Sequence, residues 1–187
     1  MLKVLFAVIT GVVGAALLHL VIILSLPYFS EKDAYTRVLA EGDRHVFHRL
    51  PDALDRAGLV QNDPFMETSV CAYDISQGPI RVYAGGDVPF WSMAIYDAAS
   101  NEVFSINDRT AAAGILDVVL ATPVQLTVLR KSLPEPITQS ILVEMQQADG
   151  YVILRTMVPQ PSFSTNASTF LSEAVCAPFD WRQRQQF

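Results

Sequence analysis

No run of lysine and arginine occurs anywhere in this chain. Its 13 Lys and Arg stand against 19 Asp and Glu, for a net charge of −6, and without a basic stripe the electrostatic footprint of nucleic-acid binding is missing. Catalytic signatures are missing too: there is no G-x-S-x-G elbow, no phosphate-binding P-loop and no dinucleotide fingerprint. Internal repeats and low-complexity stretches are absent, so the 187 residues read as one domain. Histidine is scarce, with 3 in the chain. His45 and His48 make an H-x-x-H pair, but no nearby cysteine or carboxylate completes a ligand set. Neither a metal nor another cofactor is expected.

What most of the first thirty residues lack is charge. From Val4 to Leu26, "VLFAVITGVVGAALLHLVIILSL", there is none, which accounts for a mean hydropathy of +0.29 and 51% hydrophobic residues. As a helix this run is roughly 35 Å long, enough to cross a hydrocarbon core of about 30 Å. A cleavable signal would have a shorter apolar region ending in small residues; here bulky Leu26, Tyr28 and Phe29 follow, and an uncleaved anchor is the expectation. Tyr28 and Phe29 suit the aromatic belt at a membrane surface. His19 is an ionisable group within the span, where a polar contact with another helix is the modest role. Lys3 and the amino terminus favour an inside amino end, placing the remainder in the periplasm of a bacterial inner-membrane protein. Ala7, Gly11 and Ala15, with Thr10 and Gly14 one position over, form a small-residue face suited to a partner transmembrane helix or a membrane complex.

Cysteine is nearly absent as well. Cys71 and Cys176 are the 2 in the chain, and outside the cytoplasm such a pair reads as a disulfide. Two buried thiols acting as small hydrophobes are the alternative.

Beyond the span, the expected layout is a cytoplasmic tail over 1–3, the span over 4–26, a membrane-proximal helix and connector over 27–64, a β-rich domain over 65–178 and a tail over 179–187. Ser30 and Asp33 resemble a capping pair, and Tyr35, Val38 and Leu39 share a helical face that ends at Gly42. A further helical turn is expected around Asp52 to Ala57. From Phe65 the period changes to that of strands: "FMETSVCAYDI", "IRVYA", "FWSMAIYD", "EVFSIND", "ILDVVLA", "SILVEMQQ" and "YVILRTMV". In the third of these, Trp91, Met93 and Ile95 face one way and Ser92, Ala94 and Tyr96 the other. Thr122, Pro123 and Gln125 predict a capped helix closed by Pro134 and Pro136. "ADG" at 148–150 signals a hairpin between the last two strands, and a final helix is expected near Ser168 to Val175. The fold class is mainly β with α+β character: an amino-terminal transmembrane helix, then an antiparallel β layer or sandwich with one or two short packed helices.

The stretch "YDISQGPIRVYAGGDVPFWSMAIYDAASNEVFSINDRTA" resembles the core of the family catalogued as domain of unknown function 1254. The positions that carry the resemblance are Asp74, Ser76, Gly78 and Pro79, then Phe90, Trp91 and Ser92, then Asp97, Asn101, Arg109 and Thr110. The chain is similar to a small, membrane-anchored version common among alphaproteobacteria, whereas larger members often add a jelly-roll-like domain that is not expected here. The resemblance implies a fold and a place, and no activity.

Asp97, Asn101, Asp108 and Arg109 are the candidate ligand or turn-stabilising residues. Asx side chains at hairpin loops bond nearby backbone amides, and Arg109 is expected to pair with Asp97 across the hairpin, ahead of any ligand role. The leading functional expectation is a non-catalytic periplasmic domain with an accessory or envelope-interaction role. The alternatives are a small-molecule binder or hydrolase-like enzyme using the Asp97–Asn101–Arg109 region, and a subunit of a membrane complex docked through its span. The expected partners are the lipid bilayer and a partner helix.

Overall fold

The computed structural model describes residues 1–29, 34–54, 57–61 and 63–179. The side chains of Tyr28 and Phe29, the capping pair Ser30 and Asp33, and the tail beyond Phe179 lie outside the described parts. The chain divides into two units, Met1–Asp33 and Ala34–Phe187.

The first unit is α1, Leu2–Phe29. With no charge beyond Lys3 to interrupt it, Leu2–Ser25 is long and apolar enough to cross a membrane, with a hydropathy of 2.6.

The second unit begins with α2, Ala34–Glu41, and a two-residue strand β1, His48–Arg49. Asp52–Leu54 do not take up the helical conformation expected around Asp52 to Ala57, and residues 55 and 56 are outside the described parts. There follow β2 (Met66–Asp74), β3 (Ile80–Ala84), β4 (Trp91–Asp97), β5 (Glu102–Asn107) and β6 (Leu116–Ala121). The chain then forms α3 (Pro123–Lys131), β7 (Ile141–Glu144), β8 (Asp149–Met157), α4 (Ser164–Glu173) and β9 (Val175–Pro178). Two sheets result, ordered β1-β2-β8-β4-β5 and β7-β6-β3-β9. Period-two alternation drives the pairing: Trp91, Met93 and Ile95 are buried in the core between the sheets together with Tyr73, Val118 and Leu154. Strands β2 and β6 are buried on both faces because a helix covers each sheet from outside. Val38 of α2 packs on Val70, Ala72 and Tyr151, and Leu126 and Leu129 of α3 pack on Val119 and Ala121. Phe170 and Leu171 of α4 enter the core.

The five-stranded sheet is antiparallel throughout, as expected, and the four-stranded sheet adds one parallel pair, β6 with β7, Val118 with Ile141 through Ala121 with Glu144. The cause lies in α3. Gln125 N–H donates to the Thr122 hydroxyl at 3.4 Å and the Gln125 Oε1 accepts from Thr122 N–H at 2.9 Å. That cap starts a crossover helix, which a parallel neighbour requires. The expected hairpin across 148–150 does not form: β7 and β8 lie in different sheets, residues 145–148 carry the chain between them, and Asp149 and Gly150 open β8 opposite Asp74 and Tyr73. Gly150 is needed there for space, because a Cβ would collide with the Tyr96 carbonyl oxygen and the Tyr73 hydroxyl. The last helix runs earlier than expected, and Val175 to Pro178 instead form β9 on the edge of the second sheet, Cys176 opposite Val82.

Candidate functional site

The β4–β5 hairpin carries the residues singled out from sequence. At its turn, Asp97 is 8% exposed and both carboxylate oxygens are occupied: Oδ1 accepts from Asn101 N–H at 2.8 Å and Oδ2 from the Asn101 side-chain amide at 2.9 Å. Ser100, at φ 64, completes the reversal. Ser92 pairs with Asn107, which sets Arg109 beside the Trp91 end, roughly 20 Å along the strand from Asp97. The expected Arg109–Asp97 pair therefore does not form. Arg109 is exposed; its backbone N–H donates to Asn107 Oδ1 at 3.0 Å. Asp108 donates its N–H to the Trp91 carbonyl at 3.2 Å, and its Oδ1 is buried with no hydrogen-bond partner among the described residues. Asp97 with Asn101, and Asp108 with Arg109, are thus two separate turns at opposite ends of a hairpin.

At the end of β2 the structure assembles a polar group that sequence spacing did not reveal. Asp74 Oδ1 accepts from Ser76 N–H at 2.8 Å, and Arg44 lies 3.4 Å from its Oδ2. Arg44 also reaches Asp149 at 3.6 Å, to which the Tyr35 hydroxyl donates at 3.1 Å. Asp74 N–H donates to His45 Nε2 at 3.1 Å, while His48 Nε2 lies 2.9 Å from the Asp43 carbonyl oxygen. His45 has φ 64, so the H-x-x-H pair is not on a helix and the two rings serve separate loops. Hydrogen bonds from Ser76, then the charges of Arg44 and His45, hold the Asp74 carboxyl below its ordinary value. Burial first and Asp149 second push the Tyr35 phenol up. Asp74 stays ionised and Tyr35 stays protonated, and the chemistry on offer is a clasp between α2 and the sheet. Arg44, Tyr35 and Asp149 escaped notice because Tyr35 and Asp149 are 114 positions apart.

The outward face of the five-stranded sheet is the other feature of note. Val38, Leu50, Leu59, Val70, Tyr151 and Ile153 line a groove of about 550 Å³ between α2, the connector and β2–β8. A second depression of about 360 Å³ lies over β4 and β5 and shares Ile153 and Arg155 with the first. The rings of Tyr96 and Tyr151 stack at 5.0 Å.

Residues 43–178 match the family model described as "Protein of unknown function (DUF1254)", well over half of the chain. The chain belongs to this family. No curated protein matches it. Among solved structures, the fold is similar to that of the VPA0106 protein from Vibrio parahaemolyticus, at 12% identity and a TM-score of 0.50, over 62% of this chain and 28% of that one. An uncharacterised protein from Burkholderia cenocepacia is 18% identical with a TM-score of 0.39, over 60% of this chain and 32% of that one. The chain thus spans about a third or less of these neighbours' own lengths.

Within this DUF1254 domain the motif residues do structural work. The Phe90 carbonyl accepts from the Thr156 hydroxyl at 3.0 Å, the Trp91 indole donates to the Gly114 carbonyl at 2.9 Å, and the Thr110 hydroxyl bonds Asn107 at 3.2 Å. On the second sheet, Arg81 makes a two-pronged pair with Asp117 at 2.8 Å on each arm; Asp117 holds the guanidinium in its charged form. Cys71 of β2 and Cys176 of β9 are bridged, with their Cα atoms 6.6 Å apart. On α1, Gly11 and Gly14 have open space around them, and the Thr10 hydroxyl donates to the Phe6 carbonyl at 2.9 Å, leaving the Ala7–Thr10–Gly11–Gly14–Ala15 face apolar.

Proposed function

We propose that this DUF1254 protein is a single-pass inner-membrane protein whose β-sandwich works in the periplasm as a non-catalytic binding domain of the cell envelope. The observation that carries the reading is the Cys71–Cys176 bridge, with both residues buried at 0% and 2% exposure, in a chain that begins with an apolar helix. Disulfides persist in oxidising compartments and are rare in the reducing cytosol. The non-catalytic part of the reading rests on how the polar residues are spent. Asp97 is satisfied by Asn101, Asp74 by Ser76 and Arg44, and Arg81 by Asp117, all within the fold.

A reporter active only outside the cytoplasm, fused after Phe187, should be active, and the protein should resist extraction by alkaline wash. Thiol labelling of native material should find both cysteines blocked. Activity of a cytoplasm-only reporter, or a soluble product beginning near Tyr28, would sink the proposal. A second reading, an accessory subunit held by its span, is favoured by the open space around Gly11 and Gly14 and predicts loss of a co-purifying membrane partner on Gly11→Leu.

A further inference from the structure

Strand register lays the outward side chains of the five-stranded sheet in cross-strand rows. Thr68, Arg155, Ser92 and Asn107 make one row; Val70, Ile153, Ala94 and Ser105 the next; Ala72, Tyr151 and Tyr96 the third. With strands about 4.8 Å apart, the Arg155 position is flanked on either side by a hydroxyl-bearing residue. The first row therefore offers a guanidinium, two hydroxyls and a carboxamide, while the next rows are apolar on their β2 and β8 side. That apolar side is the floor of the 550 Å³ groove, with Val38 of α2 above it, a size within the range of about 300–1,000 Å³ usual for small-molecule sites. Arg155 borders both depressions and, among the described residues, is the one cationic side chain lining either of them. It is exposed, with no ion pair or hydrogen bond among the described residues.

We propose that this face binds an amphiphile with a single carboxylate head. The carboxylate takes the two-pronged guanidinium of Arg155 in the row between Thr68 and Ser92, the geometry in which arginine recognises carboxylates best, and the hydrocarbon chain lies in the groove beside α2. Charge complementarity selects one negative charge. The other charged groups lining the two depressions, among the described residues, are the carboxylates Asp63 and Glu102. The first accepts from Phe65 N–H at 2.8 Å and the second from the Tyr96 hydroxyl at 3.4 Å. They repel a ligand carrying a second anionic group. The inference deepens the binding-domain reading and rests on it; it does not depend on the anchor.

The test uses the full chain in nanodiscs of neutral lipid and dodecanoate carrying a diazirine at its far end. Photolabelling followed by peptide mapping should place the label in residues 34–41 and 149–157. Unlabelled dodecanoate should compete, and dodecanol at the same concentration should not. Arg155→Leu, a surface change, should weaken labelling about tenfold or more, the loss expected for a charge-assisted hydrogen bond. Ile153→Trp, at a half-buried position lining both depressions, should abolish it while the disulfide and circular dichroism remain those of the native protein. Label confined to α1, equal competition by dodecanol, or labelling unchanged in Arg155→Leu would overturn the proposal. Extraction by alkaline wash would count against the anchor alone and would leave this result standing.

Discussion

Cys71 and Cys176 tie one sheet to the other, joining the second strand of the five-stranded sheet to the edge strand of the four-stranded one across 105 positions of sequence. The edge strand β9 is four residues long and, among the described residues, pairs only with β3, so the bridge does for it what a second neighbouring strand would do. Closing so long a loop restricts the unfolded chain.

Replacing both cysteines by alanine should destabilise the full-length protein by about 2–4 kcal/mol. Urea denaturation in mild detergent measures it, and treatment of the wild type with a reductant should give a matching shift. Equal midpoints for wild type and variant would show that β9 holds without its bridge.

Asp97→Ala and Arg109→Ala should separate cleanly. The first strips two hydrogen bonds from a buried turn and should cost about 1–3 kcal/mol. The second removes an exposed side chain that reaches no ion pair among the described residues, and its effect should stay within about 0.5 kcal/mol. Thermal melts of the two variants side by side decide it, and a large loss in Arg109→Ala would contradict the register of the hairpin.

Gly150→Ala should be more disruptive than either. The new methyl group meets the Tyr96 carbonyl, which is backbone and cannot turn aside, and the Tyr73 hydroxyl. Overpacking of this kind costs typically about 1–3 kcal/mol, and more where backbone must shift. Expression and urea midpoints that match the wild type would mean that β4 and β8 do not approach as described.

Tyr73 gives a pH dependence. Its hydroxyl donates to the Tyr96 carbonyl at 3.0 Å, and burial, then the neighbouring Asp97 charge, push its phenol well above the ordinary value. The folded state therefore holds the proton more tightly than the unfolded chain. The contribution is fully present below about pH 10, the unfolded value, and is lost as pH rises toward the folded one. Tyr73→Phe should lower stability by about 1 kcal/mol at neutral pH and should flatten the decline above about pH 10. Denaturation midpoints at neutral and alkaline pH check both halves; an unaltered decline in the variant would rule out Tyr73 as its source.

Much of this protein is local, and the local part was legible. An uncharged run from Val4 to Leu26 has no fold available but a long apolar helix. The alternation of Trp91, Met93 and Ile95 with Ser92, Ala94 and Tyr96 decides which side faces the core, because side chains of a strand point to opposite faces. Thr122, Pro123 and Gln125 start a helix within one turn of themselves. Family membership, too, was carried by a contiguous stretch, Tyr73 to Ala111. Pairing was not legible. "SILVEMQQ" and "YVILRTMV" look like hairpin partners across "ADG", yet β7 runs parallel to β6 and β8 sits between β2 and β4. Alternation specifies a buried face and says nothing about which strand lies alongside; that choice is made by what covers both faces at once, here α2 on one sheet and α3 on the other. For the same reason Arg44, Asp74 and Asp149 meet only in the folded chain, and Arg155 gains hydroxyl-bearing neighbours from β2 and β4 only because β8 lies between them.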